Sequence, residues 1–335
     1  MKKLLMPILA CPHCQGTFRL RDEMTDQTEI ISGVLECSAC GQTFFIEHGV
    51  PNLLDQADAD VTRRGFTDQW NLRFDGQFEN REVFGMRPEK RAKFMVERCV
   101  DSVQPNEWIV DIGCGSAEVT RAIAVQHPEA QVVGFDFSST LQQSAQNALD
   151  VPNLHFVQGD VMRPPFKSNT FMKLFAIGVL HHTADTATAF EAAASLVASG
   201  GRMLAWIYPD PLENPLLLPY YGIRDLTFLG QGHRLPTRWR VRLARLQAAT
   251  LLPSFALGYN LCQKIETIVR DEADVDLAEM SLSDLHKSLS FILLDNISPE
   301  YQFRHKKQEV MSWFTAQGFV ELETNHFGLY SGKRL

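Results

Sequence analysis

The chain has 335 residues, a formal net charge of −8, 45% hydrophobic residues and 21% charged residues. Such a composition builds about two folded domains and excludes a largely disordered chain, and the acidic balance disfavours a dominant phosphate-binding surface. No run approaches the roughly 20 apolar residues that a helix needs to cross a bilayer.

The first forty residues contain two C-x-x-C pairs, Cys11-Pro12-His13-Cys14 and Cys37-Ser38-Ala39-Cys40. Each such turn aims two thiolates at one centre, so the two together supply four sulfurs for a tetrahedral, structural Zn2+. Gly16 and Gly41 follow the pairs closely and suit the tight backbone of a zinc knuckle. A single pair would also fit a redox site, but the doubling within so short a span favours metal at Cys11, Cys14, Cys37 and Cys40. The opening, Met1-Lys2-Lys3 and then Leu4 to Cys11, imitates a lipoprotein signal. Its apolar run is short and contains Pro7, and cleavage would consume Cys11. The expectation is instead a short first strand leading into the first knuckle, in a cytoplasmic protein whose other thiols stay reduced.

After Cys40 an aromatic and branched run around Phe44 to Ile46 predicts a strand, closed by a turn at Gly49 to Pro51. The stretch from Leu9 to Leu54, with its two pairs and its Phe44-Phe45-Ile46…Gly49-Val50-Pro51-Asn52-Leu53-Leu54 ending, resembles the small zinc ribbon of the Trm112-like family. Gln15 stands where glycine usually follows the first pair.

Residues 56–68 are polar and charged and read as a linker, and 89–100 carry apolar positions at helical spacing, with Cys99 as a buried thiol. Apolar runs at Trp108–Ile112, Gln131–Phe135, Leu154–Val157, Met172–Ile177 and Arg202–Ile207 then alternate with helical segments. Strands spaced by helices predict an α/β, doubly wound parallel sheet covered on both faces. From 209 to about 295 long helical segments predict a helical cap, with Pro211, Pro215, Pro219, Pro236 and Pro253 as punctuation. It contains Tyr220 and Tyr221, follows Tyr208, and places Arg238, Arg242 and Arg245 on one helical face. These arginines read as a solvated face balanced by the acidic run Asp271 to Asp276, with contact to a phosphate, carboxylate or anionic lipid as the alternative. His305-Lys306-Lys307 opens a closing helix near Lys306 to Gln317, and Gly318 ends it before strand-like runs at Phe319–Glu323 and Phe327–Tyr330. The predicted domains are thus 1–55, the ribbon; 56–88, a linker and N-terminal helical segment; 89–208, the core; 209–295, the cap; and 296–335, the helix and antiparallel strands that complete the core.

The most informative segment is Trp108-Ile109-Val110-Asp111-Ile112-Gly113-Cys114-Gly115-Ser116-Ala117-Glu118. An apolar strand runs into glycines and straight into a helix, the place where doubly wound folds let a ligand approach the backbone. A dinucleotide fingerprint requires a third glycine at 118, where this chain has Glu118, whose carboxylate would face the pyrophosphate. A P-loop fails too, because no Gly-Lys-Ser/Thr follows. The segment Val110 to Ala117 instead resembles the turn of class I S-adenosylmethionine-dependent methyltransferases, with Ala117 where glycine is usual. Asp136 ends the next strand about 20 residues beyond Gly115, where such folds hold a ribose hydroxyl pair.

The resemblance implies a Rossmann-like fold and S-adenosylmethionine held by Asp111, Gly113, Gly115, Asp136, Phe137, Asp160, Val161 and Ile177. Asp160 would meet the adenine amino group and Val161 would line the ring. Cys114 reads as packing between strand and helix. Ile177-Gly178-Val179-Leu180-His181-His182 resembles the family's substrate-facing segment, and Ser199-Gly200-Gly201 its turn before the fifth strand. His181 and His182 are the candidate general bases, since an imidazole near neutral pKa can take a proton there, with one of the two facing the substrate. The expected function is methyl transfer to a small, hydrophobic or carrier-linked metabolite. An rRNA guanine methyltransferase with an N-terminal zinc module is one alternative, weakened by the acidic balance of residues 21–60. A non-catalytic scaffold that docks a protein partner through the ribbon is the other.

Overall fold

A computed structural model describes residues 1–26, 29–55, 61–78, 88–99, 103–213, 232–269, 281–325 and 328–335, without the side chains of 61–62, 99 and 254–269. Tyr220, Tyr221, Pro215, Pro219, Phe327 and the acidic run Asp271 to Asp276 lie outside the described residues.

Four strands form the N-terminal region: β1 (Phe18–Asp26), β2 (Glu29–Cys37), β3 (Thr43–Glu47) and β4 (Val50–Asn52). They pair as antiparallel neighbours in chain order. The apolar runs of the middle of the chain become β5 (Trp108–Ile112), β6 (Gln131–Asp136), β7 (Leu154–Gln158), β8 (Phe171–Ile177) and β9 (Val197–Trp206). They are mutually parallel and are closed by the antiparallel pair β10 (Phe319–Thr324) and β11 (Leu329–Arg334). Among the described residues all eleven strands belong to one sheet, in the order β1-β2-β3-β4-β7-β6-β5-β8-β9-β11-β10.

Alternation along the strands sends side chains into two apolar layers. Val110, Ile112, Val133 and Phe135 face one layer, together with helices α5 (Thr186–Ser195) and α8 (Lys307–Ala316). Ile109, Val132, Phe156 and Phe175 face the other, with α2 (Pro88–Cys99), α3 (Glu118–Gln126) and α4 (Leu141–Gln146). Parallel strands covered on both faces must be apolar on both, which is why they read as continuous hydrophobic runs. Two further helices, α6 (Thr237–Val269) and α7 (Leu282–Ile297), pack against each other around Val241, Ala244, Ala248, Leu289, Leu293 and Ile297, giving the helical cap its own core.

The N-terminal strands extend the parallel sheet. β4 runs parallel to β7 with Asn52 opposite Gln158, and Leu53 N–H donates to Gln158 O at 2.8 Å. On the other side of the joint Ala10 N–H donates to Pro165 O at 3.0 Å, and Lys167 N–H donates to Ile8 O at 2.9 Å. Leu5, Leu9, Phe18 and Phe44 share one continuous core with Phe135 and Phe166.

Three expectations need correcting. The opening residues form a single 3-10 turn at Lys3–Leu5, not a first strand, because only a helical turn brings Leu5 and Leu9 into the same core. Most of the segment read as a linker is helix α1 (Val61–Phe74). Pro253 lies inside α6 and does not end it. Pro253 and Ala249 are both on the solvent side, so water can take up the carbonyl that the proline leaves without a donor.

Candidate active site and metal centre

The four predicted cysteines converge, with sulfurs within 4.8 Å of one another. Cys11 and Cys40 Sγ are 3.7 Å apart, and Cys14 and Cys37 Sγ are 3.5 Å apart. Four sulfurs about 2.3 Å from one tetrahedral ion are separated by roughly 3.8 Å, so the cluster has the size of a Zn2+ site. Each knuckle turns its own N–H groups towards the sulfurs. At Cys37 burial works against ionisation, but the N–H groups of Cys40 and Ala39 and the thiols of Cys14 and Cys40 outweigh it and pull the thiol down to about 6. At Cys11 burial works the other way and pushes the thiol up to about 12, so the fit to a bound cation rests on the size and the four-sulfur chemistry of the donor set.

The second centre lies where β5 meets α3. Gly113 and Gly115 have φ of +70° and +54°, the left-handed region that favours glycine. A Cβ on Gly113 would overlap Val179, and one on Gly115 would overlap the ring of Trp70. The turn is thus a narrow cradle that only bare backbone can line. Asp136, at the end of β6, closes it: its Oδ2 accepts from Gly115 N–H at 2.9 Å and its Oδ1 from Ser138 N–H at 2.7 Å. Burial raises its pKa, while these two donors favour the carboxylate. Asp160 follows β7 half-buried, with Oδ1 accepting from Met162 N–H at 2.8 Å, and Val161 beside it is buried.

Phe137 and Ile177 are half-buried at the same end of the sheet. Asp111 is placed differently. Its carboxylate accepts from Thr120 Oγ1 at 2.6 Å and so ties β5 to α3 beneath the turn. Burial pushes its pKa up to about 6, against the Thr120 hydrogen bond and the Arg91 charge. Glu118 is also not the bare charge that its position suggests. Arg73 of α1 pairs with it at 2.6 Å, so a pyrophosphate is disfavoured by the bulk of its side chain at the third-glycine position and not by net charge.

His181 and His182 follow β8 in a short 3-10 turn, and both are buried. They make different hydrogen bonds. His181 Nδ1 accepts from Tyr208 N–H at 3.3 Å, so its proton sits on Nε2. Burial, with His182 and His305 nearby, lowers its pKa well below the ordinary value, so the ring is neutral. His182 Nδ1 lies 3.0 Å from Tyr301 O and must donate to that carbonyl, which leaves Nε2 as the basic nitrogen.

Comparison with known proteins accords with this geometry. Residues 109–201 match the methyltransferase-domain family, and residues 2–49 match the Trm112p-like protein family. The chain thus carries, in order, a stretch similar to a Trm112p-like protein and a stretch similar to a methyltransferase domain. The chain is 30% identical over 157 residues to trans-aconitate 2-methyltransferase of Azoarcus sp., covering 46% of this chain and 54% of that one. It is 28% identical over 150 residues to a ubiquinone/menaquinone biosynthesis C-methyltransferase of Ectopseudomonas mendocina, covering 43% and 57%. The chain spans about half the length of the curated relatives it matches. A Haloferax volcanii complex of the Trm112 methyltransferase activator aligns with a TM-score of 0.47 at 16% identity, covering 81% of this chain and 96% of that one.

Helix α1 supplies side chains that sequence reasoning missed at this site. Phe66 packs against Phe137 and His182, at centroid distances of 6.0 and 5.3 Å. Trp70 lies on Gly115, and Gln69 Nε2 donates to Asp295 Oδ1 at 3.1 Å. Tyr208 stacks on His181 at 3.8 Å and donates its hydroxyl to Asp295 Oδ2 at 3.3 Å. The signal for α1 was an i, i+3, i+4, i+7 set of Phe66, Gln69, Trp70 and Arg73, obscured because two of the four are polar. The three arginines of the cap are all exposed, as a solvated face requires. His305 starts the closing helix, with Nδ1 3.2 Å from Glu309.

Proposed function

We propose that the protein is an S-adenosylmethionine-dependent methyltransferase acting on a small, hydrophobic acceptor. The carrying observation is the Gly113–Gly115 cradle closed by Asp136. That cradle fits the cofactor: bare backbone for close approach, a carboxylate at the end of β6 for the ribose, and Asp160 with Val161 for the adenine. The sulfonium cofactor, when bound, supplies an activated methyl group. The residues of the chain bind, orient and exclude water, and Phe66, Phe137 and Ile177 form the apolar wall. His182 is the general base, because Tyr301 O holds its Nδ1–H and so sets the tautomer in which Nε2 is the basic nitrogen. His181, locked as the opposite tautomer and neutral, is unsuited to that role.

The ribbon holds a structural Zn2+ through Cys11, Cys14, Cys37 and Cys40. Its docking edge, β4, pairs with β7 of the same chain, which supports a module serving its own methyltransferase domain in place of a separate partner. Calorimetry tests the reading. S-adenosylmethionine is expected to bind with micromolar affinity and NADH not at all. Asp136→Ala is expected to lose the cofactor by tenfold or more while remaining folded. Absence of S-adenosylmethionine binding by the zinc-loaded protein would overturn the assignment.

A further inference from the structure

Acidic residues outnumber basic ones by 40 to 32 in the whole chain, yet from Leu226 to Ile265 there is no Asp or Glu. Arg234, Arg238, Arg240, Arg242 and Arg245 all fall in that stretch. Arg240 is buried and paired with Asp68. Arg238, Arg242 and Arg245 of α6 are exposed, and among the described residues no carboxylate pairs with them. The inward side of α6, at Val241, Ala244 and Ala248, is fixed against α7. Successive helical residues turn by about 100°, so the outward arc divides lengthwise. Arg238, Arg242 and Arg245 occupy one flank, and Trp239 and Leu246, 48% and 64% exposed, occupy the other. The guanidinium of Arg242 lies 4.9 Å from the ring centre of Trp239, which leaves its N–H edge for an oxyanion. The first turns of α7 touch α6 through His286 Nε2 and Arg245 O at 3.0 Å, and add Asp284 and Lys287, one charge of each sign.

We propose that this outward side of α6 docks the protein on an anionic lipid surface. The arginines meet the lipid phosphodiesters, while Trp239 and Leu246 enter the boundary between headgroups and acyl chains. In the lipid-free protein the face is solvated. Charge complementarity decides the occupant together with the apolar flank. A nucleic-acid strand would match the arginines and stack a base on Trp239, but it offers Leu246 no apolar layer. A headgroup layer accommodates both flanks at once, since it sets fixed negative charge beside hydrocarbon. With only two exposed apolar side chains, attachment is reversible and driven by charge. Docking itself is independent of the methyl-transfer reading, but it bears on it. Thr237 and Arg240 of α6 both bond to Asp68 of α1, and Asp68 lies between Phe66 and Trp70, which reach His182 and the Gly115 turn. The docking helix thus holds the helix that lines the site, which suits an apolar acceptor that partitions into lipid.

The test sediments the full-length protein with vesicles of phosphatidylcholine alone and of equimolar phosphatidylcholine and phosphatidylglycerol. Binding is expected to be at least tenfold tighter to the anionic vesicles. It should fall at least tenfold when salt rises from about 0.1 M to about 1 M, which shortens the Debye length from about 10 Å to about 3 Å. Bromine-labelled acyl chains should quench the wild-type tryptophan fluorescence, and Trp239→Phe should lose that quenching while still sedimenting. These readouts need no arginine variant and stand even if such a variant misfolds. Arg238→Glu, Arg242→Glu and Arg245→Glu combined should weaken anionic-vesicle binding at least tenfold with zinc content unchanged. The same reversal at the exposed Lys3, Lys93 and Lys167 should weaken it by less than about threefold. No binding to anionic vesicles, equal binding to both kinds, quenching that survives Trp239→Phe, or equal losses in the two triple variants would overturn the proposal. So would arginine-dependent binding of single-stranded RNA by a protein that leaves the vesicles alone, since the face would then be a nucleic-acid surface.

Discussion

In β5, β6 and β7 nearly every side chain is buried, whereas in β1 only Phe18 is, and β3 buries two residues of five. The same sheet thus passes from strands clamped between two helical layers to strands with one wet face. A sheet buried on both sides is stabilised by its own apolar area, at about 25 cal/mol per Å2. A thin antiparallel edge of 9-, 9-, 5- and 3-residue strands has too little of that area, and four converging sulfurs stand in its place. The difference teaches which perturbation each half should notice.

Metal removal is the harshest way to divide them. Structural zinc sites contribute on the order of 10 kcal/mol to small domains. Chelation, or Cys37→Ser, is expected to abolish hydrogen-exchange protection in β1 to β3 while β5, β6 and β8 keep theirs. Protection persisting in β2 without metal would show that the shared core around Leu5, Leu9 and Phe166 suffices, and the contrast would fail.

Gly113→Ala makes the complementary cut in the catalytic half. The added methyl meets Val179 at a left-handed backbone position, which combines a conformational cost of about 1–2 kcal/mol with an overpacking cost of about 1–3 kcal/mol. Urea unfolding should show a loss of about 2–5 kcal/mol together with loss of cofactor binding, and zinc content should stay unchanged. Loss of zinc with the cofactor would mean that the halves unfold as one unit.

A smaller effect is predicted from pH. The native Asp111 has a pKa of about 6 against an ordinary 3.8, chiefly through burial. The folded protein therefore holds this proton more tightly than the unfolded chain. Stability from this group is full below about pH 4 and declines as pH rises through 6, by on the order of 2–3 kcal/mol. Asp111→Asn keeps an acceptor for Thr120 and should flatten that part of the profile, gaining on the wild type at pH 7 to 8. Parallel profiles for the two proteins between pH 4 and 7 would remove the assignment of a strained buried acid.

The halves also differed in how far they could be read from sequence. The spacing of Cys11, Cys14, Cys37 and Cys40 specified the four-sulfur cluster, since each C-x-x-C turn is local in sequence. The apolar runs located β5 to β9 within a few residues because parallel strands are apolar on both faces. Helix α1 was hidden for a physical reason. It buries Gln69 and Arg73, which pair with Asp295 and Glu118 far along the chain, so its inward face does not look apolar. Gly65 sits inside it because a Cβ there would come within 3.0 Å of Ser298 O, and in sequence that glycine reads as a break. The two histidines were legible as a pair, but their opposite tautomers depend on Tyr208 and Tyr301, which no local pattern connects to them.

The cap offers the mildest perturbation, and it sharpens the contrast between arginines inside and outside. Arg73 is 8% exposed in side chain, pairs with Glu118 and lies over Trp70 and Phe291. Arg242 is exposed on α6, with its guanidinium 4.9 Å from the ring centre of Trp239, itself 48% exposed. Water competes for both partners there, and an exposed cation–π contact contributes about 0.5–1 kcal/mol. Arg242→Ala should therefore lower urea stability by less than about 1 kcal/mol and leave cofactor binding intact. A loss above 2 kcal/mol would mean that this arginine face is covered in solution, and the solvated reading of Arg238, Arg242 and Arg245 would have to be replaced by one in which they hold an anionic surface.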